Sequence, residues 1–333
     1  MVKSMIIRLS TDLVRKCTGM RESIDAKSVI KIAISTGLLF YLLIFVVDFS
    51  QLSDVVTRVN IRWYLVGYLF GVLGTVISVI RWREIIRSTG EPASFWSLLA
   101  IYYIGKFYNL LIPGSIGGDF VRAHHVSREE EKRVQLIATV PAERIAGLCG
   151  MVIVLSFVTP IAWGKVPKII VLQALLAVLV IISGTLVLTS SRILDITFAV
   201  SKSIGLANYL PEEKIRNFLE GANIFNDLVL LVKVVALSVL FLLVSFLPTY
   251  FIGLSLGIKI PFLFLMAVMP IVTLISMLPI SFGGIGIREG LYVYFFGLLG
   301  IVPSEAVAIG LVGFSIQVIS ALIGGILDII DRL

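Results

Sequence analysis

Two arginines end two copies of one short pattern. Arg122 closes "PGSIGGDFVR" (113–122) and Arg288 closes "PISFGGIGIR" (279–288), with Pro, Ser, Gly, Gly and Arg matched at a constant offset of 166 residues. Proline and a glycine pair stop a helix, turn the chain sharply and leave backbone N–H groups directed into a cavity. A guanidinium beside such a turn can hold a phosphate through two parallel hydrogen bonds. The expected chemistry is anion binding, with Arg122, Arg288, Ser115, Ser281, Gly117, Gly118, Gly283 and Gly284 around the headgroup and Pro113 and Pro279 as hinges. The same residues also fit two plain turns whose arginines reach out to lipid headgroups.

Other ions stand nearby. Glu143 and Arg144 follow Pro141, and Glu289 follows Arg288. Charges close to hydrocarbon are costly, so these predict either an ion-pair network or a proton-coupled carboxylate. Asp119 faces Ile285 in the second copy, which fits a helix cap better than a duplicated function. Lys106 and Asn109 precede the first turn among Tyr102, Tyr103 and Tyr108; Lys106 is either a cavity cation or an interfacial anchor. His124 and His125 diverge on a helix and lack a third ligand, so no metal is expected. Neither a nucleotide loop nor a serine-nucleophile elbow occurs, and no cofactor is expected.

The elements that must position these groups are membrane helices. Of 333 residues, 58% are hydrophobic and 15% charged, whereas soluble domains carry about a quarter charged residues. Apolar runs at 63–80, 169–190, 234–258 and 307–327 approach the ~20 residues that cross a bilayer, and 32–47 and 145–161 are shorter candidates. The first run lacks the small-residue site of a cleaved signal peptide. The longest polar stretch between runs, 191–226, is too short for a catalytic domain of at least ~50 residues. Cys17 and Cys149 do not make a disulfide framework.

The net charge of +7 suggests nucleic acid, but its distribution does not. Basic residues cluster before the first run, after the second (Arg81, Arg83, Arg87) and after the fourth, which are alternate sides of a membrane. That is the positive-inside pattern, and it places both termini in the cytoplasm of a multi-pass plasma-membrane protein. Lys233 is expected to be a cytoplasmic anchor, and no nucleic-acid partner is expected.

The 166-residue offset also carries the run at 63–80 onto 229–246 and that at 137–161 onto 303–327. With each Pro/Gly motif closing a segment that re-enters on its own side (95–112 and 262–278), corresponding runs point in opposite directions. The expected fold is an all-α polytopic membrane protein with six full spans and two re-entrant hairpins in an inverted-topology repeat. Its parts are a basic segment 1–28, a first repeat 29–165 with re-entrant motif 95–125, and a second repeat 166–333 with motif 262–303.

"KFYNLLIPGSIGGDFVRAHH" (106–125), "PAERIAGL" (141–148) and "LPISFGGIGIREG" (278–290), in that order, resemble the flippase-like family, also called the lysylphosphatidylglycerol synthase transmembrane-region family. In members where this region is fused to an aminoacyl-lipid synthase domain, it moves the modified lipid between leaflets. The chain ends at "DIIDRL", so the resemblance implies the transport half without aminoacylation. Its motif positions fall on Asn109, Pro113, Gly117, Gly118, Asp119, Arg122, Glu143, Arg144, Pro279, Gly283, Gly284, Arg288 and Glu289. The expected function is translocation of a phosphate-containing lipid, anionic or polyprenyl-phosphate-linked, without enzymatic activity. Two alternatives stay open: a membrane-embedded transferase on a lipid-linked substrate, with Glu143 or Glu289 as base, and a non-catalytic partner of a lipid-modifying enzyme. A homodimer is left open as well.

Overall fold

A computed structural model of the chain describes residues 49–111, 116–126, 133–163, 167–189, 227–277 and 284–332. The expected first span at 32–47, the basic segment 1–28, and Pro113, Ser115, Pro279, Ser281 and Gly283 lie outside the described residues.

All regular structure among the described residues is helical. The helices are α1 (Phe49–Thr57), α2 (Ile61–Ser88), α3 (Phe95–Leu111), α4 (Ile116–Val126), α5 (Arg133–Ala162), α6 (Lys168–Thr189), α7 (Leu228–Ser245), α8 (Leu247–Ser255), α9 (Phe262–Ser276), α10 (Ile287–Gly297) and α11 (Pro303–Arg332). Among the described residues four stretches are long and apolar enough to cross a membrane: Ile61–Ser88, Gln135–Ala162, Leu228–Ser255 and Pro303–Ile330, each 28 residues. At 1.5 Å per residue each spans about 42 Å, more than the ~30 Å hydrocarbon core. The 17 residues of α3 and 15 of α9 reach only about 25 Å and 22 Å.

Local chemistry sets these limits. Asn60 starts α2 by accepting a hydrogen bond from the Arg62 amide at 3.1 Å, and Gly90, at φ +81°, lets the chain leave it. Asp227 starts α7, its side chain accepting from Val229 N at 2.9 Å and Leu230 N at 3.2 Å. Phe246 and Pro248 divide α7 from α8, because proline cannot donate the amide that a continuous helix needs. Before α10 the backbone passes through φ +78° at Gly284 and +82° at Gly286, a conformation costly for any side chain. Glu289 then folds back to accept the Gly286 amide at 2.7 Å.

The outer surface is apolar. Leu65 and Leu69 on α2, Leu172, Leu176 and Leu179 on α6, and Leu322, Ile326 and Ile329 on α11 are all exposed, a surface that suits lipid rather than water. The interior is assembled through small residues, since association within lipid relies on close packing. A Cβ at Gly324 of α11 would collide with the carbonyl oxygen of Tyr103 on α3, and one at Gly150 of α5 would stand 2.8 Å from the Ser238 Cβ on α7. Polar and charged groups collect inside: Arg81, Arg122, Glu143, Arg288 and Glu289 are all buried.

Candidate functional site: a charged network beside a cationic cavity

The first proline–glycine pattern feeds a hairpin closed by glycine. Gly118 leaves no room for a side chain against the carbonyl of Gly105, and its amide donates to Asn109 Oδ1 at 2.7 Å. Asn109 thereby ties α3 to α4. Gly117 is also buried there.

This hairpin presents Arg122 to the protein interior. Arg122 is the seventh residue of α4, so its side chain emerges almost two turns into the helix. Its guanidinium packs against two rings, 4.3 Å from the Trp82 centroid and 4.0 Å from that of Tyr102. It donates to Glu143 Oε2 on α5 and reaches Asp119 Oδ1 at 3.4 Å. Glu143 also accepts from Arg81 Nη2 at 2.9 Å and from the Tyr102 hydroxyl at 3.0 Å. Arg144 completes the chain, its Nε donating to Asp119 Oδ2 at 2.8 Å and its Nη1 contacting Met277 Sδ at 3.8 Å. Arg81 reaches across to Ser238 Oγ on α7 at 3.1 Å. Three arginines and two carboxylates thus form one network, buried at Arg81, Arg122 and Glu143 and half-buried at Asp119 and Arg144, and Glu143 carries its centre.

Arg81 changes the view taken from the sequence. Its place beside Arg83 and Arg87 reads as a basic residue beyond the second span, yet it lies inside α2 and is buried. The signal was available: Trp82, Ile85 and Ile86 continue an apolar face past residue 80 at helical spacing.

Arg288 occupies a different environment although it holds the matching motif position. It is the second residue of α10, because the Gly284–Gly286 turn delays that helix relative to α4. Its Nε and Nη2 donate to Glu289 Oε1 at 3.0 and 2.6 Å, and the guanidinium sits 5.6 Å from the Phe314 ring. Glu289 is fully buried and lies in the space that a side chain at Gly310 would fill. The second motif therefore carries its counter-ion on the next residue, whereas the first draws its carboxylate from another helix.

A cavity of about 480 Å³ opens beside Arg288. Its walls come from the α7–α8 junction (Pro248, Thr249), α9 (Thr273, Ser276), α11 (Gly313, Gln317) and four first-half residues, Gly71, Lys106, Asn109 and Leu110. Gly284 also lines it, and Arg122 is not among the lining residues. Lys106 Nζ donates to Thr75 Oγ1 at 2.5 Å and lies 5.1 Å from the Tyr103 ring; no carboxylate pairs with it among the described residues. Ser276 Oγ is buried with no hydrogen-bond partner among the described residues.

The remaining candidates lie apart. His125 Nδ1 is 2.9 Å from the Val121 carbonyl, and no group of three potential metal ligands occurs among the described residues. Lys233 pairs with Glu84 at 2.6 Å on the surface. Tyr108 donates to Asp328 at 3.1 Å.

Apolar spans enclosing an ionic interior define an integral membrane protein built around a polar centre. The chain belongs to the lysylphosphatidylglycerol synthase TM region family, whose pattern it matches over residues 28–325. It is 27% identical over 300 residues to a UPF0104 membrane protein of Pyrococcus horikoshii, covering 83% of this chain and 89% of that one. It is 22% identical over 309 residues to a UPF0104 membrane protein of Methanothermobacter thermautotrophicus, covering 83% and 85%.

Proposed function

We propose that this protein is a lipid translocase that carries a phosphate-containing headgroup through the cavity beside Arg288 while the acyl or prenyl chains stay in the bilayer. The observation that carries this reading is Lys106, a cation set into a membrane-embedded cavity with no carboxylate partner among the described residues. A charge in that position is costly to maintain and marks a substrate path. A volume of about 480 Å³ is within the ~300–1,000 Å³ usual for ligand sites.

An inverted repeat is the architecture we favour, and three features support it. Corresponding helices start 167 residues apart at 61 and 228 and again at 95 and 262, and 170 apart at 133 and 303. Packing partners correspond too: α3 lies on α11 as α9 lies on α5, and α4 lies on α5 as α10 lies on α11. The hairpins α3–α4 and α9–α10 are made of helices too short to cross, as re-entrant segments would be. Rocking one repeat against the other would expose the cavity to each leaflet in turn. In that motion Arg122 and Glu143 position the first hairpin, and Lys106 and Arg288 meet the headgroup. Movement would run downhill or be coupled to an ion gradient. A plasma-membrane location with both termini inside remains part of this proposal.

The transferase alternative has less support, because both candidate bases are held in ion pairs, Glu143 by Arg81 and Arg122 and Glu289 by Arg288. The test is transport in proteoliposomes with a headgroup-labelled anionic phospholipid. The intact protein is expected to equilibrate the label between leaflets, and Arg288→Ala to slow it by about tenfold or more, the loss expected for a charge-assisted contact. Transport at the protein-free rate with correctly folded protein would exclude the proposal.

A further inference from the structure

We infer that the cavity selects a headgroup with one net negative charge and no amine, and that Lys106 sets this selection. The inference rests on the translocase reading and narrows its substrate class.

Charge bookkeeping at the walls leads there. The cavity receives two cations, Lys106 and Arg288, and none of its described lining residues is Asp or Glu. Arg288 is compensated from behind by Glu289, whose Oε1 takes two of its N–H groups. Among the described residues Lys106 is left as one uncompensated positive charge, held in place by a hydroxyl and a ring rather than by an acid. The adjoining network reaches the same wall, where the Arg144 guanidinium meets Met277. The remaining polar wall groups are neutral. Ser276 brings a buried hydroxyl with no partner among the described residues, and Thr249 and Gln317 bring further donors.

A phosphodiester fits this set. Its single negative charge offsets Lys106, and its other oxygens accept from Arg288 and the hydroxyls. A headgroup amine does not fit, because an ammonium brought into the cavity would meet Lys106 and find no free carboxylate. Headgroups made cationic by an attached amino acid are disfavoured for the same reason. Specificity here comes from a repulsive element as well as an attractive one. The ligand chemistry is that of a hydroxyl-bearing phosphodiester such as the phosphatidylglycerol headgroup.

The experiment is equilibrium lipid binding to the full-length protein, followed by native mass spectrometry, with phosphatidylglycerol and phosphatidylethanolamine as probes. Phosphatidylglycerol is expected to bind at least about tenfold more tightly, the difference carried by one charge-assisted hydrogen bond. Lys106→Met should remove that preference, and Lys106→Arg should keep it. Equal binding of the two lipids by the unmodified protein, or an undiminished preference in Lys106→Met, overturns the inference. Should Lys106→Met fail to fold, the order of the two lipids on the unmodified protein and on Lys106→Arg decides alone. Soluble glycerophosphoglycerol is expected not to compete at concentrations matching the lipid; if it does, the site is for a free anion and the lipid assignment falls. Binding with this selectivity but without transport would sink the translocase reading and leave the selectivity standing.

Discussion

Glu143→Leu is expected to prevent stable folding. Among the described residues Glu143 is the only carboxylate that touches both Arg81 and Arg122, and both arginines are buried. Its removal leaves Arg81 with Ser238 and Arg122 with a 3.4 Å contact to Asp119. Breaking a buried pair by deleting one partner costs about 3–5 kcal/mol, because the orphaned charge must stay desolvated or drag the helices apart. That is a large fraction of the ~5–15 kcal/mol that holds a typical folded protein together. Thermal unfolding of the purified protein in detergent checks it. A triple replacement, Glu143→Leu with Arg81→Met and Arg122→Met, should recover part of the loss, since a whole buried ionic cluster can be exchanged for apolar packing at little cost. A Glu143→Leu variant as stable as the parent would show that the network is not a structural centre.

The second large effect is expected at Gly324. The α3 and α11 backbones approach so closely there that a methyl group would overlap the Tyr103 carbonyl, and the obstacle is main chain that cannot rotate aside. The neighbouring Gly325 is pressed by the Phe107 ring, 3.0 Å from where its own Cβ would stand. Gly324→Leu must therefore separate the first hairpin from the last span, at or above the top of the ~1–3 kcal/mol range for overpacking. It would also displace Lys106, three residues after Tyr103, from the cavity wall. Reduced yield and a lowered unfolding temperature are the expected outcomes. Gly297→Ala serves as the control, because a Cβ at Gly297 meets nothing within 4 Å.

Helix positions were mostly legible in the sequence, since hydrophobic length is a local property. The re-entrant candidates 95–112 and 262–278 correspond to α3 and α9 within two residues, and the expected last span lies inside α11. The span expected at 234–258 begins six residues earlier and is divided at Phe246, where Pro248 was the visible cause. The span expected at 63–80 continues to Ser88, because Arg81 is stabilised by an acid 62 residues away that no local pattern reveals.

The site was less legible for the same reason. Matching motif positions suggested equal roles for Arg122 and Arg288. Their surroundings depend on where each helix begins and on which carboxylate each meets: Glu143, 21 residues on, for one and Glu289, the next residue, for the other. Lys106 could be a cavity cation or an anchor on sequence alone. What distinguishes these is the wall opposite, built by α9 and α11 more than 150 residues later.

The most direct measurement uses phosphatidylglycerol carrying a photoreactive group on its headgroup, incorporated with the protein into vesicles and mapped by peptide mass spectrometry after illumination. With the headgroup in the cavity, labels are predicted on Met269, Met277 and Phe314, which line it, and they should diminish in Arg288→Ala. Labels confined to the exposed outer faces of α2 and α6, around Leu65 and Leu172, would contradict a headgroup path through the protein.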